Sequence, residues 1–252
     1  MRRPISLLCT FLSLATAACG GSSTGPEATA PVDDTAIRVA ALREEMAEVA
    51  EHQRVADPAL AEALSAVRRL DEIVAQLRDP EQVDDVQDTW AGVDAAFMGV
   101  DPAALRQPFI DLALAVDDAR AILRSTRDVL DEDWQREYLD AEDEVLTTVR
   151  AYAETADKVV QVVARHWPTF ASAHGVAVRF VEQRWFYRSA QEATDAFEVQ
   201  VGDLLPRLNS ARQEIADFVA QRQEAAAAVN EASQTASRHW RERPTGSPTP
   251  TP

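Results

Sequence analysis

Residues 132–166 read EDWQREYLDAEDEVLTTVRAYAETADKVVQVVARH, and this stretch decides the fold. Steps of three and four from Trp134 land on Tyr138, Ala141, Val145, Thr148, Tyr152, Thr155, Val159, Val162 and His166. A helix advances about 100° per residue, so positions spaced in this way share one face. Acids and arginines fill much of the remainder, as on a solvated surface. At about 1.5 Å per residue such a helix is roughly 50 Å long. A seam that regular is buried only by a partner of comparable length, which implies bundle or coiled-coil packing with nearly parallel axes.

The flanking sequence supplies the partners. Residues 203–240 carry a second long seam through Leu208, Ala211, Ile215, Phe218, Arg222, Ala225, Val229, Ala232 and Ala236. Shorter stripes predict helices over 34–55 (Val39, Leu42, Met46, Val49), 58–78 (Leu60, Leu64, Val67, Leu70), 80–98 (Val83, Val86, Trp90, Val93) and 108–130 (Phe109, Leu112, Val116, Leu123). Another runs over 176–201. In 108–130, Ile110, Leu114 and Ile122 widen the apolar face, which predicts a well-buried helix. Between Asp33 and Arg243 the only glycines are Gly92, Gly99, Gly175 and Gly202. They and the prolines at 58, 80, 102, 108, 168 and 206 read as breaks between helices. Three breaks share one chemistry: Asp57-Pro58, Asp79-Pro80 and Asp101-Pro102. Asp accepts from the free amides of a first turn, and proline wastes none there. No Gly or Pro separates Phe109 from Trp167, yet the seam slips phase near Leu130, which predicts a turn over 130–133. Folding back there sets Arg120, Arg124 and Arg127 against Asp133, Glu137, Asp140 and Glu144. The expected fold is all-α: an elongated bundle of six to seven helices with coiled-coil-like seams over residues 33–243.

The first residues give an address. Arg2 and Arg3 precede an apolar stretch over 5–14, and Ala15-Thr16-Ala17-Ala18-Cys19 follows. A positive start, a short apolar core and small residues before a cut describe a secretory signal peptide. The core is too short to span a bilayer, which takes about 20 residues. Thr16-Ala17-Ala18-Cys19 resembles the lipobox of bacterial lipoproteins. The resemblance implies removal of residues 1–18 and lipid on the Cys19 thiol. Residues 19–32, with Gly20-Gly21-Ser22-Ser23-Thr24-Gly25, then form a flexible tether. The implied location is the cell envelope, either the outer face of the cytoplasmic membrane or, as Gly20 after the cysteine suggests, an outer membrane. Residues 244–252, PTGSPTPTP, are a Pro/Thr tail that builds no core.

Composition narrows the functions. The only cysteines are Cys9, which leaves with the signal, and Cys19, so the domain has no disulfide and depends on packing. Residues 1–18 hold two arginines and no acid, so their loss takes the formal charge from −17 to −19. That argues against nucleic acid as a partner and against direct adsorption to anionic lipid heads. There is no Gly-x-Ser-x-Gly elbow, no phosphate loop, and no helical metal motif around His52, His166, His174 or His239. No enzyme, cofactor or metal is indicated. The most unusual segment is Arg179-Phe-Val-Glu-Gln-Arg-Trp-Phe-Tyr-Arg188, with four aromatics and three arginines. On a helix, Phe180 and Tyr187 share a side while Trp185 and Phe186 point elsewhere. Either that helix is central or an aromatic faces out. His166, Trp167, Arg179, Arg184, Trp185 and Arg188 are therefore the candidate surface, near an expected turn at Trp167-Pro168. Two readings stay open: a membrane-tethered binding or scaffold module facing another envelope protein, or a small-ligand or sensor domain with a pocket near Trp185 and Arg188.

Overall fold

A computed structural model describes residues 34–77, 99–130 and 132–242. They form five α-helices and no strand: α1 Asp34–Leu77, α2 Gln107–Arg127, α3 Asp133–Gln183, α4 Ala190–Gly202 and α5 Leu205–Arg241. The predicted helix over 80–98, the lipobox with Cys19, and the Pro/Thr tail lie outside the described residues.

Two expected breaks are absent. Pro58 lies inside α1, which joins the stripes of 34–55 and 58–78 into one helix of 44 residues. Pro168 lies inside α3, which runs for 51 residues, or about 76 Å. An interior proline loses one helical hydrogen bond and costs about 3 kcal/mol. The apolar phase explains why it is tolerated. Leu42, Val49, Gln53, Ala56, Leu60, Ala63 and Val67 are all buried, at steps of three, four and seven straight through Pro58. Val159, Val163, Phe170, Ala173, Ala177 and Phe180 do the same across Pro168. Both proline rings point outward, and breaking either helix there would expose a continuous seam. Of the three Asp-Pro pairs, Asp101-Pro102 alone behaves as a start among the described residues. Asp101 Oδ1 accepts from the Ala103 amide at 3.0 Å, ahead of a 3-10 turn and α2.

The turn near Leu130 is present. The last amides of α2 close tightly, Val129 N to Thr126 O at 3.1 Å, and Leu130 tucks into the core. The expected charged stripes meet in part, since Arg120 finds Asp143, outside the expected set. Arg127 pairs with Asp140, and Arg120 reaches Asp143 at 3.3 Å. Further along, Arg150 binds Asp117 at 2.5 Å and Arg106 grips Asp157 with two bonds of 2.8 and 3.0 Å. Such half-exposed pairs contribute about 0–1 kcal/mol each, so they set register more than stability.

These pairings fix the topology. α2 runs antiparallel to α3, with Arg106 at Asp157 and Arg127 at Asp140. α5 also runs antiparallel to α3: His166 meets Glu214 near one end, and Tyr138 meets Trp240 near the other. α1 runs parallel to α3, since Asp57 meets Tyr152 while Arg43, like Tyr138, lies against Trp240. The result is an up-down-up-down bundle of α1, α2, α3 and α5 with α3 in contact with all the others. Its core is buried on two stripes of α3. One is the seam through Ala141, Val145, Tyr152, Val159 and Val162; the other runs through Leu139, Leu146, Val149, Ala153 and Val160. The broad apolar face expected of α2 is narrower. Phe109, Leu112, Val116 and Leu123 are buried, but Leu114 is 57% exposed and Ile110 is also at the surface.

Candidate functional site

The structure separates the candidate residues into two places. His166 and Trp167 sit within α3, not at a turn, because the helix continues through Pro168. His166 Nε2 lies 2.7 Å from Glu214 Oε2 on α5, and Arg165 reaches Glu214 Oε1 at 2.6 Å. The bond to His166, then the charge of Arg165, hold the Glu214 carboxyl below its ordinary range. Trp167 packs edge-on to Phe170 at 6.4 Å. These contacts clip α3 to α5. Arg179, Arg184, Trp185 and Arg188 lie at least three helical turns farther along, near and beyond the end of α3.

That end is built from the aromatic segment itself. α3 stops at Gln183, residues 184–186 make one 3-10 turn, and α4 begins after Ser189. Ser189 is extended, and its hydroxyl accepts from the Glu192 amide at 3.1 Å. Glu192 in turn accepts from the Arg188 amide at 2.9 Å. This resembles a capping box, with Glu192 reaching the amide one residue before the cap, and the motif Ser189-x-x-Glu192 is a sequence signal of a helix start. The expected helix over 176–201 is therefore cut in two. Beneath the turn lies a small second core of Val176, Ala177, Phe180, Ala193, Phe197 and Val201. Phe180 and Phe197 meet at 5.1 Å, and Phe180 and Tyr187 at 6.4 Å. Phe180 and Tyr187 thus do share a side. Trp185 and Phe186 project the other way, 70% and 85% exposed. Arg179 and Arg188 are exposed nearby. The two rings are adjacent and exposed, and together they form an apolar patch on the surface.

Two polar clusters inside the bundle complete the inventory. In the middle, Tyr152, 2% exposed, donates to Asp57 of α1 and accepts from Arg222 Nη1 of α5 at 3.4 Å. The Arg222 guanidinium lies 5.8 Å from the Tyr152 ring centre. Burial, reinforced by the Asp57 carboxylate, pushes the Tyr152 hydroxyl well above its ordinary range, and Arg222 opposes this. Arg222 is visible in the sequence as the one charge in its seam; Asp57 is masked there by its resemblance to a cap. At the end where α3 starts, Trp134, Tyr138 and Trp240 pack together, with Tyr138 and Trp240 at 5.2 Å. Arg43 covers the Trp240 ring at 5.2 Å. Tyr138 lies one helical turn from Glu142, and burial raises the proton affinity of both groups.

Two surface depressions lie elsewhere. One of about 320 Å³ runs between α3 and α5, lined by Ala141, Glu144, Thr148, Ala228 and Ala232 among others. One of about 260 Å³ lies between α2 and α3, beside Ile110, Leu114 and Arg150. Neither includes Trp185 or Arg188; Glu144, Thr148, Glu231 and Thr235 line the first, and Arg150, Glu154 and Asp157 the second. Among the described residues no three His, Cys, Asp or Glu side chains converge as metal ligands, and no helix is long and apolar enough to cross a membrane. No protein-family model matches the chain, and no curated protein matches it.

Proposed function

We propose that this chain is a lipid-anchored binding module of the cell envelope: a helical rod tethered through Cys19 at one end, with its binding surface at the other. The polarity of the rod carries this reading. α1 begins at Asp34, fifteen residues after Cys19, at the end where α3 starts and α5 finishes. Trp185 and Phe186 stand where α3 stops, about 76 Å farther along the helix axis. Two or more acyl chains on Cys19 would supply a firm hold, since each buried methylene contributes about 0.8 kcal/mol. Neither depression includes Trp185 or Arg188, beside which a small-ligand pocket was expected, and this favours the binding-module reading.

Two measurements test it. The chain should incorporate a clickable fatty acid and enter the detergent phase on cloud-point separation, and Cys19→Ser should abolish both. A Cys19→Ser chain that still takes up acyl label overturns the anchor. A photo-crosslinking residue at position 186 should capture envelope components in intact cells, while one at Asp128, at the tethered end, should not. Equal capture at both, or none at 186, overturns the assignment of the far end as the binding surface.

A further inference from the structure

Resting on that reading of the far end, we infer that its partner is an anionic phospholipid surface, entered by Trp185 and Phe186. The two residues are consecutive, exposed and carried on a single tight turn. The turn is braced from within by Tyr187 on Phe180 and from behind by the Ser189–Glu192 cap. The rings are therefore presented without a cost of ordering the backbone on contact.

Shape decides between a lipid and a protein. The aromatic pair is exposed, and neither of the depressions described above includes it. A stable protein interface buries about 800 Å² on each side. Two rings offer about 150–250 Å² each, well short of that. A bilayer interface is fluid and needs no matching pocket, and tryptophan is the residue that best occupies the headgroup level.

Charge agrees locally although the whole chain is acidic. Residues 179–188 hold Arg179, Arg184 and Arg188 against a single acid, Glu182. Glu192, which accepts from the Arg188 amide, and Asp195 and Glu198 follow on α4, so the positive charge is confined to the turn and its flanking arginines. At physiological salt the screening length is about 8 Å, so acids farther than this along the rod contribute little at its tip. Arginine can reach phosphate while its stem lies along the apolar layer.

The test uses the mature chain carrying Cys19→Ser, so that no acyl group contributes. It should co-sediment with phosphatidylglycerol–phosphatidylcholine vesicles and much less with phosphatidylcholine alone. Trp185→Ala with Phe186→Ala should weaken binding by about tenfold or more. Arg179→Gln with Arg188→Gln should bring it down to the phosphatidylcholine level. Leu114→Ala, an exposed apolar change elsewhere, should leave it unchanged. Both substituted pairs are surface residues, and unchanged far-UV circular dichroism establishes that they fold. As a second readout, bromine-labelled lipid should quench the parent chain more than Trp185→Phe. Absence of vesicle binding, or binding indifferent to the aromatics or to phosphatidylglycerol, overturns the inference. If vesicles fail but position 186 captures a protein in cells, the lipid inference falls and the binding-end reading survives. If neither is seen, both fall.

Discussion

Replacing Pro168 by alanine should stabilise the protein. The position lies in the interior of α3, and its ring is exposed, so the change opens no cavity. Alanine restores an amide that can donate to the Ala164 carbonyl and removes the clash of the ring with that same carbonyl. Relative to alanine, proline inside a helix costs about 3 kcal/mol. Against this, proline restricts the unfolded chain, a benefit of about 0.4–1 kcal/mol that the substitution gives up. The net gain is about 2 kcal/mol. For a domain of this size that raises Tm by about 4–8 °C. The assay is guanidinium unfolding of the chain followed by far-UV circular dichroism, with thermal melts alongside. An unchanged or lower midpoint would refute the reasoning. It would mean that the chain turns at Trp167-Pro168, where proline at a helix start is favourable.

Two further outcomes test the packing and the buried charge. Leu146→Ala removes a fully buried side chain on the inner stripe of α3 and should cost about 2–5 kcal/mol, while Leu114→Ala should stay within about 0.5 kcal/mol; equal effects in chemical denaturation would contradict the narrow buried face of α2. Glu142 has its folded-state proton affinity raised by burial, so the protein loses stability as pH rises from the ordinary carboxyl value of 4.5 toward the folded one; Glu142→Gln should therefore raise Tm at neutral pH, with the gain vanishing below pH 4.5, and a pH-independent difference would refute the assignment.

The architecture was legible because long seams leave a strong periodic trace, and the residues that misled are instructive. Pro58 and Pro168 read as breaks, yet the buried positions keep step on both sides of each. Near Leu130 there is no proline or glycine, and the chain does turn, because there the apolar phase slips. Continuity of the buried face outweighs a local cost of about 3 kcal/mol, since each buried aliphatic side chain contributes about 1.5–3 kcal/mol. The phase was thus the better guide than the punctuation. The far end follows the same logic. Four aromatics in ten residues cannot share one helical face, and the chain resolves this by ending α3, keeping Phe180 and Tyr187 inside and leaving Trp185 and Phe186 out. What no single stretch encodes is the pairing of Asp57 with Tyr152 and Arg222, because it exists only once three helices are side by side.

That pairing has a consequence for how the rod keeps its length. Seams of Ala, Val and Leu repeated every three or four residues are nearly self-similar, so sliding one helix past another by a heptad restores most apolar contacts. Polar groups do not tolerate the slip. Moved by a heptad, Arg222 would lose both the Tyr152 hydroxyl and its ring, and Asp57 would face aliphatic side chains unpaired, at a cost of several kcal/mol. Arg222 Nε is already buried without a hydrogen bond, so the cluster adds little net stability in register. Its effect is to make the wrong registers worse. The clips at either side, Arg212 on Asp71 at 2.7 Å and Arg43 over Trp240, bind the same two helices and agree on the same alignment. The distance from the start of α1 to the turn at Trp185 is therefore set by polar contacts in the middle of the bundle, and the apolar seams supply the stability that lets those contacts persist.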